Sequence, residues 1–278
     1  MNEKHPVTAT AFTKTPVPHV GGARMRCSVS GTTRAEVVPV SLRFEELDWR
    51  PTAMGDLSLR RRREPTLGVD LYEVKLGEEF LMSSLFTVAE IALADLGLAP
   101  LAETALDVVV GGLGLGYTAR AVLADSRVQS LAVVEALAEV IEWHERGLLP
   151  LAEALTGDPR CRLLQGDFFA LSATDNAYGA GVPDRLHAIL VDIDHTPRHV
   201  LHPSHAAFYS LEGLRRVADR LHPGGVFALW SDDPPDEEFM ALLDAVFAGS
   251  AAHVVPFANP ITGGESANTV YVATVSLA

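Results

Sequence analysis

Residues 106–120 read LDVVVGGLGLGYTAR, and the fold turns on how this stretch is read. The run Val108 to Val110 is short, apolar and β-branched, which predicts a strand buried on both faces rather than a helix. It meets four glycines, Gly111, Gly112, Gly114 and Gly116, and then a segment of helical character from about Tyr117. Glycines at a strand-to-helix turn let the backbone adopt positive φ and approach a ligand closely. The helix behind them presents free N–H groups to an anionic or polar ligand. The spacing is G-x-G-x-G, not the G-x-G-x-x-G of a dinucleotide loop, so a nucleoside is the expected ligand.

Outward from this loop, strands and helices alternate. After Pro100 the expected strands are LDVVVGG (106–112), SLAVVEA (130–136), CRLLQGD (161–167), HAILVDID (187–194), GVFALWSD (225–232), AHVVPFA (252–258) and NTVYVATVS (268–276), with helices from near Tyr117, Ala136, Pro203 and Asp236. Repeated strand–helix units imply a mostly parallel sheet covered on both faces. The last two strands, joined by NPITGGES, read as an antiparallel edge. Ahead of this domain (83–278), FEELDWR, DLSLRRRR, VDLYEVKLG and EEFLM predict a small antiparallel sheet over 41–82, with turns at Pro51–Gly55, Pro65–Gly68 and Gly77. Arg60 to Arg63 are expected on an exposed edge strand that discourages aggregation. SSLFTVAEIALADLGL follows as a helix, capped by Ser83 or Ser84 and ending at Gly97. Residues 1–40, rich in Thr, Pro, Ser and Gly, read as a disordered extension, and Met25 is an alternative start.

A net charge of −14 disfavours nucleic acid as a partner and favours neutral or cationic small ligands. No run approaches the roughly 20 apolar residues needed to cross a bilayer, and the N-terminus lacks the apolar stretch of a signal peptide. A cytoplasmic protein without membrane contact is therefore expected. Cys27 and Cys161 are far apart and form no disulfide framework or zinc pattern.

Three acids stand at successive strand ends. Glu135 closes LAVVE, where a carboxylate accepts hydrogen bonds from ribose hydroxyls. Asp167 follows in QGDFF, with Phe168 and Phe169 as candidates to border a purine ring. Residues 190–197, LVDIDHTP, deliver Asp192 and Asp194 to the start of a loop that also holds His195, His199, His202 and His205. Taken singly, each has a purely structural alternative, such as a turn or a helix cap. Metal ligation by the histidines is disfavoured because Pro197 and Pro203 interrupt any continuous helix, and no metal is expected. His195, Tyr209 and Trp230 are candidates for an acceptor pocket, with loop surface or core packing as the alternatives.

The order VVVGGLGLG, VVEA, QGDFF, ILVDID and FYSLEGLRRVADRLHPGGVFALW resembles the class I S-adenosylmethionine-dependent methyltransferase fold, and spermidine synthases in particular. The resemblance implies a Rossmann-like α/β fold, with a seven-stranded, mostly parallel sheet, an antiparallel C-terminal edge strand and a small N-terminal antiparallel β-sheet. It also implies that Gly111 to Gly116, Glu135 and Asp167 bind S-adenosylmethionine or its decarboxylated form. Asp192, with Asp194 beside it, would take a proton from an amine that receives an alkyl group of the aminopropyl type. A homodimer is expected on the same ground. The chain departs from the family at Gly114, where an amine-recognising Asp usually stands, and in the segment before the core helix, where Glu90 alone is retained. DIDHTP also replaces the family's Asp-Ser-x-Asp-Pro. Methyl transfer on the same scaffold, and nucleoside binding without catalysis, are the alternative readings.

Overall fold

The structure, a computed structural model, describes residues 44–174 and 178–277. The proposed N-terminal extension, Met25 and Cys27 lie outside the described residues.

The first four strands are β1 (Phe44–Thr52), β2 (Gly55–Glu64), β3 (Val69–Leu76) and β4 (Glu79–Ser83), an antiparallel sheet in the order β1-β2-β3-β4. The arginine run does not lie on an edge. β2 is paired on both sides, and three of its arginines meet acids: Arg61 pairs with Glu45 of β1, Arg62 with Glu73 of β3 and Glu64 of its own strand, and Arg63 with Asp70 of β3. Cross-strand pairing of opposite charges replaces solvation as the reason for the run.

Helix α1 (Val88–Leu98) then leads to β5 (Leu106–Gly111), α2 (Tyr117–Ala124), β6 (Val128–Glu135), α3 (Ala138–Glu145), α4 (Ala152–Thr156), β7 (Cys161–Gln165), α5 (Phe168–Ser172) and β8 (Leu186–Val191). Behind a 3-10 turn at Pro203–Ala207 come α6 (Leu211–Asp219), β9 (Leu221–Ser231), α7 (Glu237–Val246), β10 (Gly249–Asn259) and β11 (Gly264–Thr274). These strands form a seven-stranded sheet in the order β10-β11-β9-β8-β5-β6-β7. β7, β6, β5, β8 and β9 run parallel, while β11 is antiparallel to both β9 and β10. The expected antiparallel C-terminal edge is thus the β10–β11 pair. β10 is outermost, where Pro256 is tolerated.

Period-two alternation assigns each strand residue to a layer. Val108 and Val110 of β5 join a core under α1, α2 and α3, and Val109 joins a second core under α5, α6 and α7. The first core also takes Leu57, Leu59 and Val74 from the small sheet, which therefore packs on the same side as α1.

Three expected helix boundaries shift, two starts and one end, each for a local reason. Ser83 and Ser84 do not cap α1, because β4 is still pairing with β3 at Ser83 and the Ser84 hydroxyl accepts from the Tyr72 N–H. Thr87 precedes α1 instead. Gly97 is not the terminus but a point of contact: a Cβ there would lie 2.5 Å from Leu190 Cδ2, so α1 sits directly on β8. At Pro203 only one 3-10 turn forms, and the helix proper begins at Leu211 behind the Ser210 cap.

Candidate active site

β5 and β6 run parallel into the turns that follow them, so the glycine loop and Glu135 meet at one end of the sheet. β5 lies between β6 and β8, where successive connections leave on opposite sides and open a crevice at the strand ends. Gly112, Gly114 and Gly116 adopt positive φ, at +94°, +48° and +89°. Gly112 is the tightest of these, since a Cβ would lie 2.1 Å from the Asp192 carbonyl oxygen. Gly111 serves packing, as a Cβ there would lie 2.7 Å from the Phe168 ring.

Glu135 holds the loop in shape. Its Oε2 accepts from the Leu113 N–H (3.0 Å) and its Oε1 from the Leu137 N–H (2.9 Å). The second bond is also why α3 starts at Ala138 and not at Ala136. Burial raises the Glu135 pKa, and the backbone donors around it oppose that rise. The Gly114 and Ala136 N–H groups also act on this carboxylate, which thus gathers the backbone donors of two successive turns. Two residues that sequence reasoning missed complete the loop. The imidazole Nε2 of buried His144 lies 2.9 Å from the Gly114 carbonyl, and Met82 of β4 lies against Gly114. Nothing in their spacing marks either one, because both arrive through tertiary packing.

Asp167 is the N-cap of α5, its Oδ1 accepting from the Ala170 N–H at 3.0 Å with the side chain exposed. Phe168 faces the core and not the crevice at the strand ends. It is 2% exposed and stacks on Tyr178 in the second core, because the first turn of α5 points it inward under Gly111. Phe169 is likewise buried, stacked on His205.

The two aspartates of LVDIDHTP separate. β8 ends at Val191, so the alternation that would have kept Asp192 and Asp194 on one face stops there. Asp192 turns toward α2, and its Oδ2 accepts from the Thr118 hydroxyl at 2.7 Å. The same hydroxyl lies 3.3 Å from the Glu90 carbonyl, so the first turns of α1 and α2 and the end of β8 converge. Burial pushes the Asp192 carboxyl up to about 6, against the lowering effect of Thr118. Burial and the charge of Asp192 push Glu90 up to about 8. Among the described residues no Lys, Arg or His pairs with either carboxylate.

Asp194 is a loop anchor, not a second base. It is 1% exposed, with Oδ1 accepting from the Leu201 N–H (2.7 Å) and facing His205 Nδ1 (2.8 Å), and Oδ2 accepting from the Tyr209 hydroxyl (2.9 Å). Tyr209 is therefore also withdrawn from the acceptor pocket: it is buried, its proton goes to Asp194, and its pKa stands well above the ordinary value. His195 reaches across to Glu79 of β4, with Nε2 2.8 Å from Oε1. Trp230 is half-buried against the α1 core, and its Nε1 is buried without a partner. The four loop histidines thus face different groups, and no set of three or more His, Cys, Asp and Glu is arranged to hold a metal among the described residues. Cys161 carries a free thiol that burial raises to about 12, unsuited to nucleophilic work. A separate cleft of about 370 Å³ lies between Thr196–Arg198 and Ser231–Glu237, with neither Asp192 nor Glu135 in its wall.

Comparison with known proteins agrees with this architecture. No family model matches the chain. Over 152 residues, 51% of the chain, it is 30% identical to polyamine aminopropyltransferase 2 of Pseudomonas aeruginosa, and the match spans 40% of that relative's length. Among solved structures, spermidine synthase from Thermotoga maritima superposes with a TM-score of 0.62 at 16% identity, covering 84% of this chain and 73% of that one. A spermidine synthase in complex with the transition-state analogue AdoDATO gives 0.64 at 16% identity, covering 84% and 74%. A probable spermidine synthase from Corynebacterium glutamicum gives 0.57 at 16%, covering 83% and 79%. The chain thus has the spermidine-synthase-like fold, a Rossmann-like sheet behind a small antiparallel one. No helix of the described residues is long and apolar enough to cross a membrane.

Proposed function

We propose that the protein is an aminopropyltransferase-like enzyme that moves an alkyl group from decarboxylated S-adenosylmethionine to a small amine. The observation that carries this reading is Asp192, a half-buried strand-end carboxylate with no cationic partner among the described residues, beside a glycine loop pinned by Glu135. An amine attacks carbon only through a free lone pair, so a carboxylate must accept the proton of the incoming ammonium. A pKa near 6 leaves Asp192 mostly ionised at neutral pH and able to accept that proton. The sulfonium of the nucleoside supplies the leaving group. The chain's own part is to seat the nucleoside on Gly112 to Gly116 and Glu135, and to hold Asp192 oriented through Thr118. Gly112 and Gly114, both in the left-handed region, let the loop turn tightly from β5 into α2 against Asp192 and Met82. The Pseudomonas relative, named as a polyamine aminopropyltransferase, supports the same activity for this chain. A cytoplasmic location and a homodimer belong to the same reading, and sedimentation showing only monomer would remove the dimer.

The test is turnover with Asp192→Asn. This variant should lose at least about a hundredfold in kcat, the usual worth of a general base, while nucleoside affinity stays within about twofold. Wild-type turnover in the variant would remove Asp192 as the base. Affinity for the carboxylated nucleoside well above that for the decarboxylated one would point to methyl transfer instead.

A further inference from the structure

Along β9 successive side chains face opposite sides of the sheet. Trp230 packs on the core under α1, the side on which Asp192 meets Thr118 of α2. Ser231 therefore faces the other side, with Leu229 and Tyr271 of the second core. There it lines the cleft of about 370 Å³ between the loop after β8 and the start of α7. The Asp232 N–H donates to the His195 carbonyl at 2.7 Å and ties these two connections together. Ser231 is 0% exposed, yet its hydroxyl oxygen has no hydrogen-bond partner among the described residues. A buried hydroxyl left unpaired is costly unless a bound group supplies the missing bond.

The charges around the mouth fix the sign of that group. Arg198 is committed, because its guanidinium pairs with Asp236, the N-cap of α7, and with Glu238. Asp233 and Glu237 line the same cleft, are exposed, and have no cationic partner among the described residues. The wall thus carries an excess of negative charge. No three His, Cys, Asp or Glu groups among the described residues converge on a point that would hold a metal ion, so the acids suit an extended cation rather than a compact one. Pro197, Pro234 and Pro235 add methylene-rich walls that offer no N–H.

We propose that this cleft binds a primary alkylammonium compound as a non-catalytic ligand. The ammonium donates to the Ser231 oxygen at the floor, the alkyl chain lies against the prolines, and Asp233 and Glu237 balance the charge. The cleft lies on the opposite side of the sheet from Asp192, so the inference stands apart from the transfer reading. Its wall includes Thr196 to Arg198 of the loop that leaves β8, and an occupant would therefore bridge that loop to the start of α7.

The experiment is equilibrium dialysis of radiolabelled 1,4-diaminobutane against the whole protein and its variants, with succinate, a dianion of similar length, as competitor. Wild type should show a class of site that Asp192→Asn retains. Ser231→Ala should weaken this class about tenfold, the usual worth of a hydrogen bond to a charged group. Asp233→Asn combined with Glu237→Gln should weaken it about threefold or more. Because the Ser231 oxygen has no protein partner, Ser231→Ala should keep Tm within about 2 °C of wild type or raise it. A wild type without such a class, or cleft variants that bind unchanged, overturns the inference and leaves the transfer reading standing. Displacement of the amine by an equal concentration of succinate overturns it as well. Loss of the transfer reading with the Ser231-dependent class intact removes that reading alone. The Asp233 and Glu237 variant changes only exposed side chains, so the test stays decisive if Ser231→Ala does not fold.

Discussion

At the scale of single residues, the site is governed by which carboxylates find donors. Asp194 finds three neighbours from the loop it starts, His205, Leu201 and Tyr209, and becomes structural. Asp194→Ala should therefore cost about 3–5 kcal/mol, since it leaves buried donors unpaired; urea denaturation would measure it, and a loss below about 1 kcal/mol would show that the loop repacks. Asp192 and Glu90 find too few donors, and their pKa values rise to about 6 and 8. For an acid whose folded pKa lies above its unfolded value, the native state binds more protons between the two, so stability falls as pH rises through that window. The empty protein should accordingly lose thermal stability between about pH 4 and 8, and Glu90→Gln should flatten the upper part of the slope. A melting curve that is flat from pH 6 to 8 in wild type would contradict the raised value. Asp192 was legible in the sequence as a strand-end acid, because apolar runs announce where a buried strand stops. The division of labour with Asp194 was not, because it depends on where a loop returns.

At the scale of elements, turns and caps do the positioning. The glycine loop was readable because positive φ at Gly112, Gly114 and Gly116 leaves a compositional mark. Replacing Gly112 by Ala would set a Cβ 2.1 Å from the Asp192 carbonyl oxygen, so the loop must shift away from β8. Gly112→Ala should lower nucleoside affinity by at least about tenfold and destabilise the fold by more than the roughly 1 kcal/mol that positive φ alone costs; equilibrium dialysis and denaturation would read the two effects separately. α5 was not foreseen, and its absence from the sequence reading is what left Phe168 facing the ligand. A five-residue helix carries too little periodicity to be seen, yet it reverses the direction of an aromatic side chain.

At the scale of the whole described unit, the small sheet helps to build the site. Asp48 of β1 accepts from the indole N–H of fully buried Trp143 on α3 at 2.7 Å, and Arg50 pairs with Glu142 of the same helix. Met82 and His195–Glu79 link β4 to the glycine loop and to the loop after β8. Asp48→Ala should thus cost about 1–3 kcal/mol through the unpaired indole donor, and it should weaken nucleoside binding although Asp48 touches no candidate ligand-binding residue. Unchanged affinity alongside the stability loss would show that the two sheets act independently.

What the sequence determined by itself were the properties that local chemistry imposes. β-branched apolar runs specified the strands, glycine spacing the tight turn between β5 and α2, and strand-end acids the end of the sheet at which carboxylates gather. The tertiary structure alone decided which acid is held by partners and which is left with few. That depends on donors brought from residues far along the chain: Thr118 to Asp192, Tyr209 and His205 to Asp194, and no cation to Glu90. A carboxylate's role follows from its partners and its burial, and neither is a property of the residues beside it in sequence.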